Sequence, residues 1–432
     1  MPHPEEAAKR PSRRTARSSL ADPSAGLPDG AASHPLQRGS AEFRHVNGAL
    51  FAAGFATFSL LYYVQPLLPS FADSFALSPA MSSLSLSLTT LLLAPAMVVT
   101  SSLSEVWGRK RVMTLSLLLS AGLTLLAAAA PDWPSLLVCR TLLGITLSGM
   151  PAVSMAYLSE EVEANVLGYA MGLFIGGSAF GGMVGRVATA GLADLAGWRV
   201  AVAGIGLIGL VATLVFWRSL PDSRRFRPRP FAVGPLWRSL SGHVADRGLP
   251  RLFLIGFLLM GSFVAVYNYS GFRLLAPPFA LSQAAAGAIF AVYLIGIVAS
   301  AWIGALAGRF GQRRLLWATV LMMLGGLALT LSDRLVPVIA GIAVFTVGFF
   351  GGHTIASAWV GRRAQQARAQ ASALYLFSYY VGSSLAGSLG GLFWQRAGWP
   401  GVAGMVATLL IAAVAVALWL VRLPPLAGDP GS

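Results

Sequence analysis

Residues 101–113 read SSLSEVWGRKRVM. This stretch places one acid and three cations between two long apolar runs, with a glycine just before the cations. A tight turn between two helices needs a small residue at the reversal, and cations gather at the ends of membrane-spanning helices. The stretch therefore predicts such a turn, with Gly108 at the reversal and the cations at 109–111 anchoring it to the membrane surface.

The composition indicates that the chain crosses a membrane many times. Of its 432 residues, 56% are hydrophobic and 11% are charged, whereas soluble globular proteins carry about 25% charged residues. A helix of roughly 20 apolar residues crosses a bilayer, and the sequence holds many apolar windows of that length. We therefore predict an all-α polytopic membrane protein.

The positive charge and the cysteine content argue against two kinds of site. The formal net charge is +15, but the cations collect between apolar segments and form no aromatic-interleaved basic face of the kind that nucleic-acid-binding proteins use. The single cysteine, Cys139, cannot form a disulfide or a cysteine-rich metal site within one chain. We therefore expect no nucleic-acid partner and no bound metal.

Twelve helical spans can be drawn along the chain. They cover 46–69, 79–103, 112–130, 134–157, 165–190, 199–218, 251–272, 283–307, 313–331, 335–359, 370–393 and 399–421. If the N-terminus is cytoplasmic, the inside segments hold 25 of the 31 Lys and Arg residues. Because Lys and Arg concentrate in the cytoplasmic loops of membrane proteins, both termini are predicted to be cytoplasmic.

Polar segments divide the chain into two halves. Residues 1–45 are rich in Pro, Ser, Ala and Arg and cannot bury enough apolar surface to fold, so they predict a disordered cytoplasmic tail. Residues 219–250 contain PDSRRFRPRP, which predicts a basic cytoplasmic linker. The N-terminal half is therefore 46–218 and the C-terminal half is 251–421, followed by a cytoplasmic tail at 422–432.

The two halves repeat one another at a nearly fixed offset. The matches are FALS at 75–78 and 279–282, SSLSEVWGRKR at 101–111 and GALAGRFGQRR at 304–314, and AGW at 196–198 and 397–399, with offsets of 204, 203 and 201. Parallel halves that hold a substrate between them are one known plan of secondary transporters. We therefore predict two pseudo-symmetric six-helix bundles.

The opening stretch resembles the signature Gly-x-Leu-x-Asp-x-x-Gly-Arg-Lys of the major facilitator superfamily, which lies between spans two and three. The first copy matches at Leu103, Gly108, Arg109 and Lys110, with Glu105 in place of the aspartate and Ser101 in place of the first glycine. The second copy keeps Gly304, Leu306, Gly311 and Arg313, with Gly308 in place of the acid. The resemblance covers 46–421 and implies the twelve-helix fold of that superfamily.

Two further patterns resemble the drug/proton antiporter branch of the superfamily. Span four contains LLVCRTLLG, in which Arg140 and Gly144 match an arginine–glycine pattern of that branch. Span five resembles the antiporter motif in its glycines but lacks the Gly-Pro step of that motif; these glycines are Gly172, Gly176, Gly177, Gly181, Gly182 and Gly185. The chain is thus similar to bacterial twelve-span efflux permeases of the inner membrane.

The resemblance implies a gate at the cytoplasmic end, in which Glu105 pairs with a cation in one state and releases it in the other. The repeat offset also places the acids after span four opposite the arginines after span ten, so ion pairs between these loops would close this end. The alternative for the basic residues is a plain topology anchor. The predicted gate and turn residues are Glu105, Gly108, Arg109, Lys110, Arg313, Glu160, Glu161, Arg362 and Arg363.

Polar side chains within the spans predict a central cavity. In the superfamily that the chain resembles, spans one and seven line this cavity, and amphipathic rings with a few amides suit small, partly apolar ligands. The tyrosines could instead belong to an interfacial aromatic belt. The candidates are Arg140, Tyr62, Tyr63, Gln65, Asn268, Tyr379 and Tyr380.

Charged and titratable groups inside the spans are rare. Arg140 should have a partner, because an arginine at the centre of a membrane helix costs about 2.5–3.5 kcal/mol even on insertion scales. Arg186 and Arg273 lie closer to span ends and are expected to extend toward the interface. None of the 16 acids lies in the middle of a span. His353, which titrates near neutral pH, is therefore the proton-coupling candidate, with simple packing as its alternative.

Together these patterns predict a secondary active transporter that exports a small organic solute across the bacterial inner membrane by alternating access, in exchange for protons. An uptake permease or an uncoupled facilitator of a small polar or anionic metabolite is the alternative, and a membrane receptor without transport is another. No nucleophile–base pair or phosphate-binding glycine loop indicates an enzyme, and no cofactor is predicted. The superfamily resemblance implies a monomer.

Overall fold

The structure is a computed structural model, which describes Leu36 and residues 40–223, 243–364 and 368–423. Within these ranges the backbone is almost entirely helical. Most of the two predicted tails and of the predicted linker lie outside the described residues.

Helices of very different length build the two halves. The N-terminal half contains α1 (Ala41–Tyr62), α2 (Leu68–Ser74), α3 (Pro79–Trp107), α4 (Arg109–Ala128), α5 (Trp133–Leu147), α6 (Pro151–Glu161) and α7 (Ala164–Ser219). The C-terminal half contains α8 (Leu249–Leu275), α9 (Gln283–Gly287), α10 (Tyr293–Phe310), α11 (Gln312–Leu329), α12 (Leu335–Arg363) and α13 (Arg368–Val421). Short 3₁₀ turns at Gln65–Leu67 and Ala288–Val292 connect α1 to α2 and α9 to α10.

The helices account for the twelve predicted spans. Nine stretches of the described chain are long and apolar enough to cross a membrane. Two of them contain 54 and 52 residues, and each consists of two helices joined at a non-helical position, Gly197 in α7 and Gly398 in α13. The 18-residue α11 completes the twelve within the described ranges. The fold is therefore the predicted all-α polytopic one, with six spans in each half.

The first helix begins earlier than the sequence pattern predicted. The predicted tail ended at residue 45, whereas α1 begins at Ala41. The Ser40 hydroxyl accepts a hydrogen bond from the Phe43 N–H (3.0 Å), and Glu42 lies in the first turn, where a negative charge stabilises a helix. The predicted boundary was wrong because this cap lies in a polar segment, ahead of the apolar run.

Glycine occupies both tight turns that the repeated motif predicted. Gly108 joins α3 to α4 with φ 95°, and Gly311 joins α10 to α11 with φ 84°. Residues with a Cβ rarely adopt a positive φ, so glycine is the residue that closes these turns without strain. The two turns are 203 residues apart, which is the offset between the motif copies.

Glycine also allows the same close helix crossing in each half. A Cβ added to Gly181 of α7 would lie 2.2 Å from the Phe55 carbonyl oxygen of α1. A Cβ added to Gly382 of α13 would lie 2.2 Å from the Phe257 carbonyl oxygen of α8. Small residues let membrane helices approach this closely. The repeat therefore extends from the sequence to the packing of the first span of each half against the fifth.

Replacing Gly181 by alanine should lower the thermal unfolding midpoint of the purified protein. The new Cβ would overlap the Phe55 carbonyl oxygen, so α1 and α7 must separate at a cost of about 1–3 kcal/mol. Gly191→Ala is the matched control, because a Cβ there would meet no heavy atom within 4 Å. Equal unfolding midpoints for the two variants would contradict the close crossing.

Candidate translocation site

Two buried amides meet at the boundary between the halves. Gln65 lies in the 3₁₀ turn after α1 and Asn268 lies in α8, and they are 1% and 0% exposed. Gln65 Nε2 donates a hydrogen bond to Asn268 Oδ1 over 2.9 Å. The two residues are 203 positions apart, so the repeat relates them to one another. The structure thus brings two predicted cavity residues together near the pseudo-symmetry axis.

Arg186 of α7 completes this cluster, although its position in the sequence suggested that it would extend toward the membrane interface. It is 3% exposed; Nε donates to Gln65 Oε1 (2.5 Å) and Nη1 donates to the Gly182 carbonyl oxygen (2.7 Å). A guanidinium can only donate, so it fixes Gln65 with Oε1 toward Arg186 and Nε2 toward Asn268. The three side chains form a directed hydrogen-bond chain across the boundary.

Three aromatic rings surround the Arg186 guanidinium. Its Cζ atom lies 4.2 Å from the ring centre of Tyr62, 4.8 Å from that of Tyr293 and 5.3 Å from that of Phe290. Tyr62 belongs to the N-terminal half and the other two rings belong to the C-terminal half. The ion pairs of the described chain do not include Arg186. The ring faces stabilise the cation but do not neutralise it.

Arg140 of α5 is fully buried, and its described contacts lie within the N-terminal half. Nε donates to the Ser85 carbonyl oxygen (2.8 Å), and the two Nη atoms donate to those of Leu60 (3.0 Å) and Leu61 (2.8 Å). Its Cζ lies 4.9 Å from the ring centre of Tyr63, which is also buried. Arg140 therefore joins α5 to α3 and to the last turn of α1, and its contact with substrate stays a prediction.

His353 lies with Tyr379 and Tyr380 in a second cluster, formed by α12 and α13. Its Nδ1 is 2.9 Å from the Tyr375 hydroxyl, and its ring centre is 4.9 Å from that of Tyr379. The Tyr379 and Tyr380 ring centres are 5.3 Å apart. Within the described ranges, no group of three or more His, Cys, Asp or Glu residues could hold a metal ion. The cluster thus contains one titratable imidazole among tyrosines.

Aromatic rings connect the two clusters. The Tyr293 ring of the Arg186 cage lies 5.8 Å from Phe350, and Phe350 lies 5.4 Å from Phe349, measured between ring centres. Phe349 in turn stacks on His353 at 6.0 Å. The C-terminal half therefore contributes a continuous aromatic wall between Arg186 and His353, which the sequence analysis did not identify.

Gly197 and Gly398 lie at the same end of the molecule, here called the Gly197 end. Hydrogen bonds join the two halves at this end and in the middle of the spans. The bonded pairs are Gln65 with Asn268 (2.9 Å), Thr90 with Ser384 (2.8 Å) and Asp194 with the Gln283 N–H (3.2 Å). At this end Gln65 and Phe290 are among the residues that line a small pocket. The halves are thus in contact at the Gly197 end.

At the opposite end, here called the Gly108 end, the motif arginine binds an acid from the end of α6. Arg109 Nη2 lies 2.7 Å from Glu160 Oε1, and Arg109 Nε lies 3.3 Å from Glu160 Oε2. Arg109 Nη1 also donates to the Ser104 hydroxyl (2.5 Å). Glu105 Oε1 is 3.9 Å from Arg109. Since bidentate geometry is the stronger arrangement, Glu160 is the principal partner of Arg109.

The C-terminal half forms a different ion pair at this end. Arg363, which follows Glu160 by 203 residues, donates from Nε and Nη2 to the Asp246 carboxylate over 2.6 and 2.9 Å. Partial burial alone would raise the pKa of Asp246, but hydrogen bonds from Arg363 and from the N–H groups of Leu249 and Gly248 lower it below its ordinary value. Ionised Asp246 therefore holds Arg363 beside the start of α8.

The remaining predicted gate residues contact the linker, the C-terminal tail or their own half. Lys110 lies 3.8 Å from Asp222, Glu161 accepts a hydrogen bond from Ser223 (2.8 Å), Arg313 donates to the Leu423 carbonyl oxygen (2.6 Å), and Arg362 bonds to Gln312. The predicted ion pairs between the two loops are not among those described in this conformation. Pairing between the loops stays a prediction for another conformation.

Comparisons with known sequences agree with this architecture. The family described as Major Facilitator Superfamily matches residues 50–352 and 258–432. The chain is 48% identical over 385 residues to the uncharacterized MFS-type transporter YybF of Bacillus subtilis (strain 168), covering 89% of this chain and 94% of that protein. It is 44% identical over 387 residues to the inner membrane transport protein YnfM of Escherichia coli (strain K12), covering 90% of this chain and 93% of that protein.

Solved structures share the fold. A bacterial homologue of the human lysosomal transporter Spinster, in an inward-facing and occupied conformation, matches with a TM-score of 0.73 at 16% identity, covering 89% of this chain and 98% of that one. The nucleoside transporter NupG matches with a TM-score of 0.71 at 14% identity, covering 87% of this chain and 99% of that one. With the sequence relatives, this establishes that the chain belongs to the major facilitator superfamily and is a membrane transporter of that type.

Proposed function

We propose that this transporter exports a small organic solute across the bacterial inner membrane in exchange for protons. The observation that carries the proposal is the one-sided contact between the halves. Their hydrogen bonds extend from mid-span to the Gly197 end, whereas the described ion pairs at the Gly108 end stay within one half or join a half to the linker. Alternating access requires two halves that close on one side of a central site at a time. The Arg186 cluster and the aromatic wall are the proposed central site.

The distribution of cations supports an orientation with the Gly108 end in the cytoplasm. The segments that the sequence predicts to be cytoplasmic, which include the turns at Gly108 and Gly311, hold 25 of the 31 Lys and Arg residues, and such residues concentrate on the cytoplasmic side. In this orientation the described conformation is closed toward the outside. A solute would then enter the proposed central site from the cytoplasm, which is the first step of export.

His353 supports the proton-coupling part of the proposal. It is the only histidine within the twelve spans predicted from the sequence, and its imidazole lies on the aromatic wall with Tyr375 as hydrogen-bond partner. A solute bound against this wall would change the surroundings of the imidazole and thus its affinity for a proton. Coupling consists of such a mutual dependence of two binding equilibria.

An uncoupled facilitator is the second candidate function. It is favoured by the absence of carboxylates in the middle of the spans, since all 16 acids of the sequence lie in loops, tails or near span ends. A facilitator would use the same cavity and the same closure at alternate ends. It would not, however, move solute against a concentration gradient.

Flux into reconstituted vesicles should separate these candidates. We expect a labelled, permanently charged organic solute, either benzenesulfonate or trimethylphenylammonium, to accumulate against its gradient when a pH gradient is imposed in the opposite direction. A permanently charged probe does not redistribute through lipid in response to pH by itself. Accumulation should vanish with a protonophore and in protein-free vesicles. Equilibration without accumulation would indicate a facilitator, and binding without flux a receptor.

Replacing His353 by glutamine should abolish accumulation driven by the pH gradient but retain downhill exchange of the same solute. Glutamine keeps polarity and hydrogen bonding but cannot take up a proton. Tyr375→Phe is the matched control, because it removes the hydrogen bond and keeps the imidazole, so accumulation should persist with a displaced pH profile. Unchanged accumulation in the glutamine variant would exclude His353 as the proton site.

Replacing Glu160 by glutamine should shift the conformational equilibrium more than replacing Glu105 by glutamine. The first change removes the bidentate partner of Arg109, whereas the second removes a contact of 3.9 Å. The Arg109 and Glu160 side chains are 8% and 29% exposed, and hydrogen bonds to a charged group are worth about 1.5–3 kcal/mol, so the population ratio should change by roughly 10- to 150-fold.

Spin-label distances at the Gly108 end would measure this shift. Trp107 and Phe310 are 54% and 62% exposed and precede the two turn glycines, so they can be labelled as cysteines after Cys139→Ser. The distance distribution between them reports the separation of the halves. Equal distributions for the Glu160 and Glu105 variants would contradict the assignment of Glu160 as the principal partner.

A further inference from the structure

We propose that Arg186 binds the acidic group of an organic monoanion, a carboxylate or a sulfonate, at the boundary between the halves. The inference rests on the proposed transport function and adds the class of substrate. Arg186 is 3% exposed, and the described ion pairs give it no acidic partner. A buried charge without a partner is strongly unfavourable. Such a site attracts a single negative charge and repels a cation.

The hydrogen bonds around Arg186 leave donors unfilled. Because the guanidinium fixes the orientation of Gln65, and Gln65 fixes that of Asn268, the chain ends on the Asn268 amide nitrogen. This Nδ2 is buried and has no hydrogen-bond partner. Arg186 Nη2 likewise makes none of the described hydrogen bonds. Reversing the Gln65 amide would set donor against donor at Arg186, so Asn268 Nδ2 stays a buried donor that can bind an acceptor atom of a ligand.

The Asn268 amide nitrogen lies close to a second buried polar group without a partner. A Cβ added to Gly387 of α13 would lie 3.2 Å from Asn268 Nδ2 and 3.3 Å from the Ser87 hydroxyl, so both groups pack closely around this glycine. The Ser87 oxygen is also buried without a hydrogen-bond partner. Two unpartnered polar groups, one from each half, therefore converge at this point of the boundary.

The aromatic wall fits the rest of the ligand. The Phe263 and Phe349 rings stack with centres 3.7 Å apart, and Phe349 continues toward Tyr379 at 6.4 Å. Flat apolar surfaces of this kind cover an aromatic or aliphatic body. Aromatic cages in other proteins bind quaternary ammonium groups, but the Arg186 guanidinium already occupies this cage. The ligand is thus an acid with an apolar body.

Two other intramembrane arginines, by contrast, have several hydrogen-bond acceptors within the protein. The Arg140 guanidinium is held by three backbone carbonyls. Arg273, at the end of α8, donates to the carbonyl oxygens of Thr330 and Ser332. Both make their described hydrogen bonds to the backbone of their own half, so Arg273 serves as a matched control for the loss of a buried cation.

Equilibrium binding to the purified full-length protein tests the inference. The probes are benzenesulfonate and benzenesulfonamide, which share shape but differ by one charge. We expect the wild type to bind the sulfonate at least tenfold more tightly than the sulfonamide. Arg186→Gln should weaken sulfonate binding roughly 10- to 100-fold, the range of a charge-assisted hydrogen bond, and weaken sulfonamide binding much less, so that the preference for the sulfonate is lost. Arg273→Gln should retain the preference.

Gln65→Glu provides a second variant if Arg186→Gln fails to fold. The substitution is nearly isosteric and places a carboxylate beside Arg186, so it should abolish the preference for the sulfonate while the thermal unfolding midpoint is maintained. Wild-type protein that shows no preference for the sulfonate, or variants that bind it as the wild type does, would overturn the inference. Sulfonate binding without flux would support the anion site and overturn the proposed transport. Flux of trimethylphenylammonium without flux of benzenesulfonate would support the proposed transport and overturn the anion site.

Discussion

The central site depends on a break in the first span, and Arg140 makes that break tolerable within a bilayer. α1 ends at Tyr62, and the 3₁₀ turn that follows contains Pro66, which has no N–H to donate. Carbonyls in the last turn of a helix lack intrahelical partners, and unpaired backbone groups are costly in lipid. Arg140 bonds to two of these carbonyls. The break in turn places Gln65 at the boundary between the halves.

The duplicated halves share the same helix arrangement but carry different side chains at the proposed site. The offset of 203 residues between the motif copies also relates Gln65 to Asn268, and these two residues meet at the boundary between the halves. Arg186, by contrast, corresponds to Gly387 at an offset of 201, and His353 and the aromatic wall come from the C-terminal half alone. Because the two copies of the repeat carry different side chains at these positions, the boundary between the halves has an arginine on one side and aromatic rings on the other.

Features that depend on neighbouring residues could be predicted from the sequence, whereas contacts between distant segments could not. Spans, turn glycines and the repeat follow from local composition and spacing. Arg186 bonds to Gln65 across 121 residues, and its distance from the span end suggested an interfacial position instead. Likewise, Glu105 lies in the motif, but Glu160, 51 residues from Arg109, forms the closer pair. Only the packing of the helices shows which acid reaches the arginine.

The proposed Arg186 site would link ligand affinity to the conformation of the transporter. A ligand shifts a conformational equilibrium only by the difference between its affinities for the two states. Tyr62 contributes to the cage from one half, and Tyr293 and Phe290 contribute from the other, so the cage changes shape when the halves move relative to one another. The Thr90–Ser384 and Asp194–Gln283 hydrogen bonds join the same two halves, whereas the described ion pairs at the Gly108 end stay within one half or join a half to the linker. A ligand at the proposed site would therefore act on the conformational equilibrium through the boundary that these hydrogen bonds hold together.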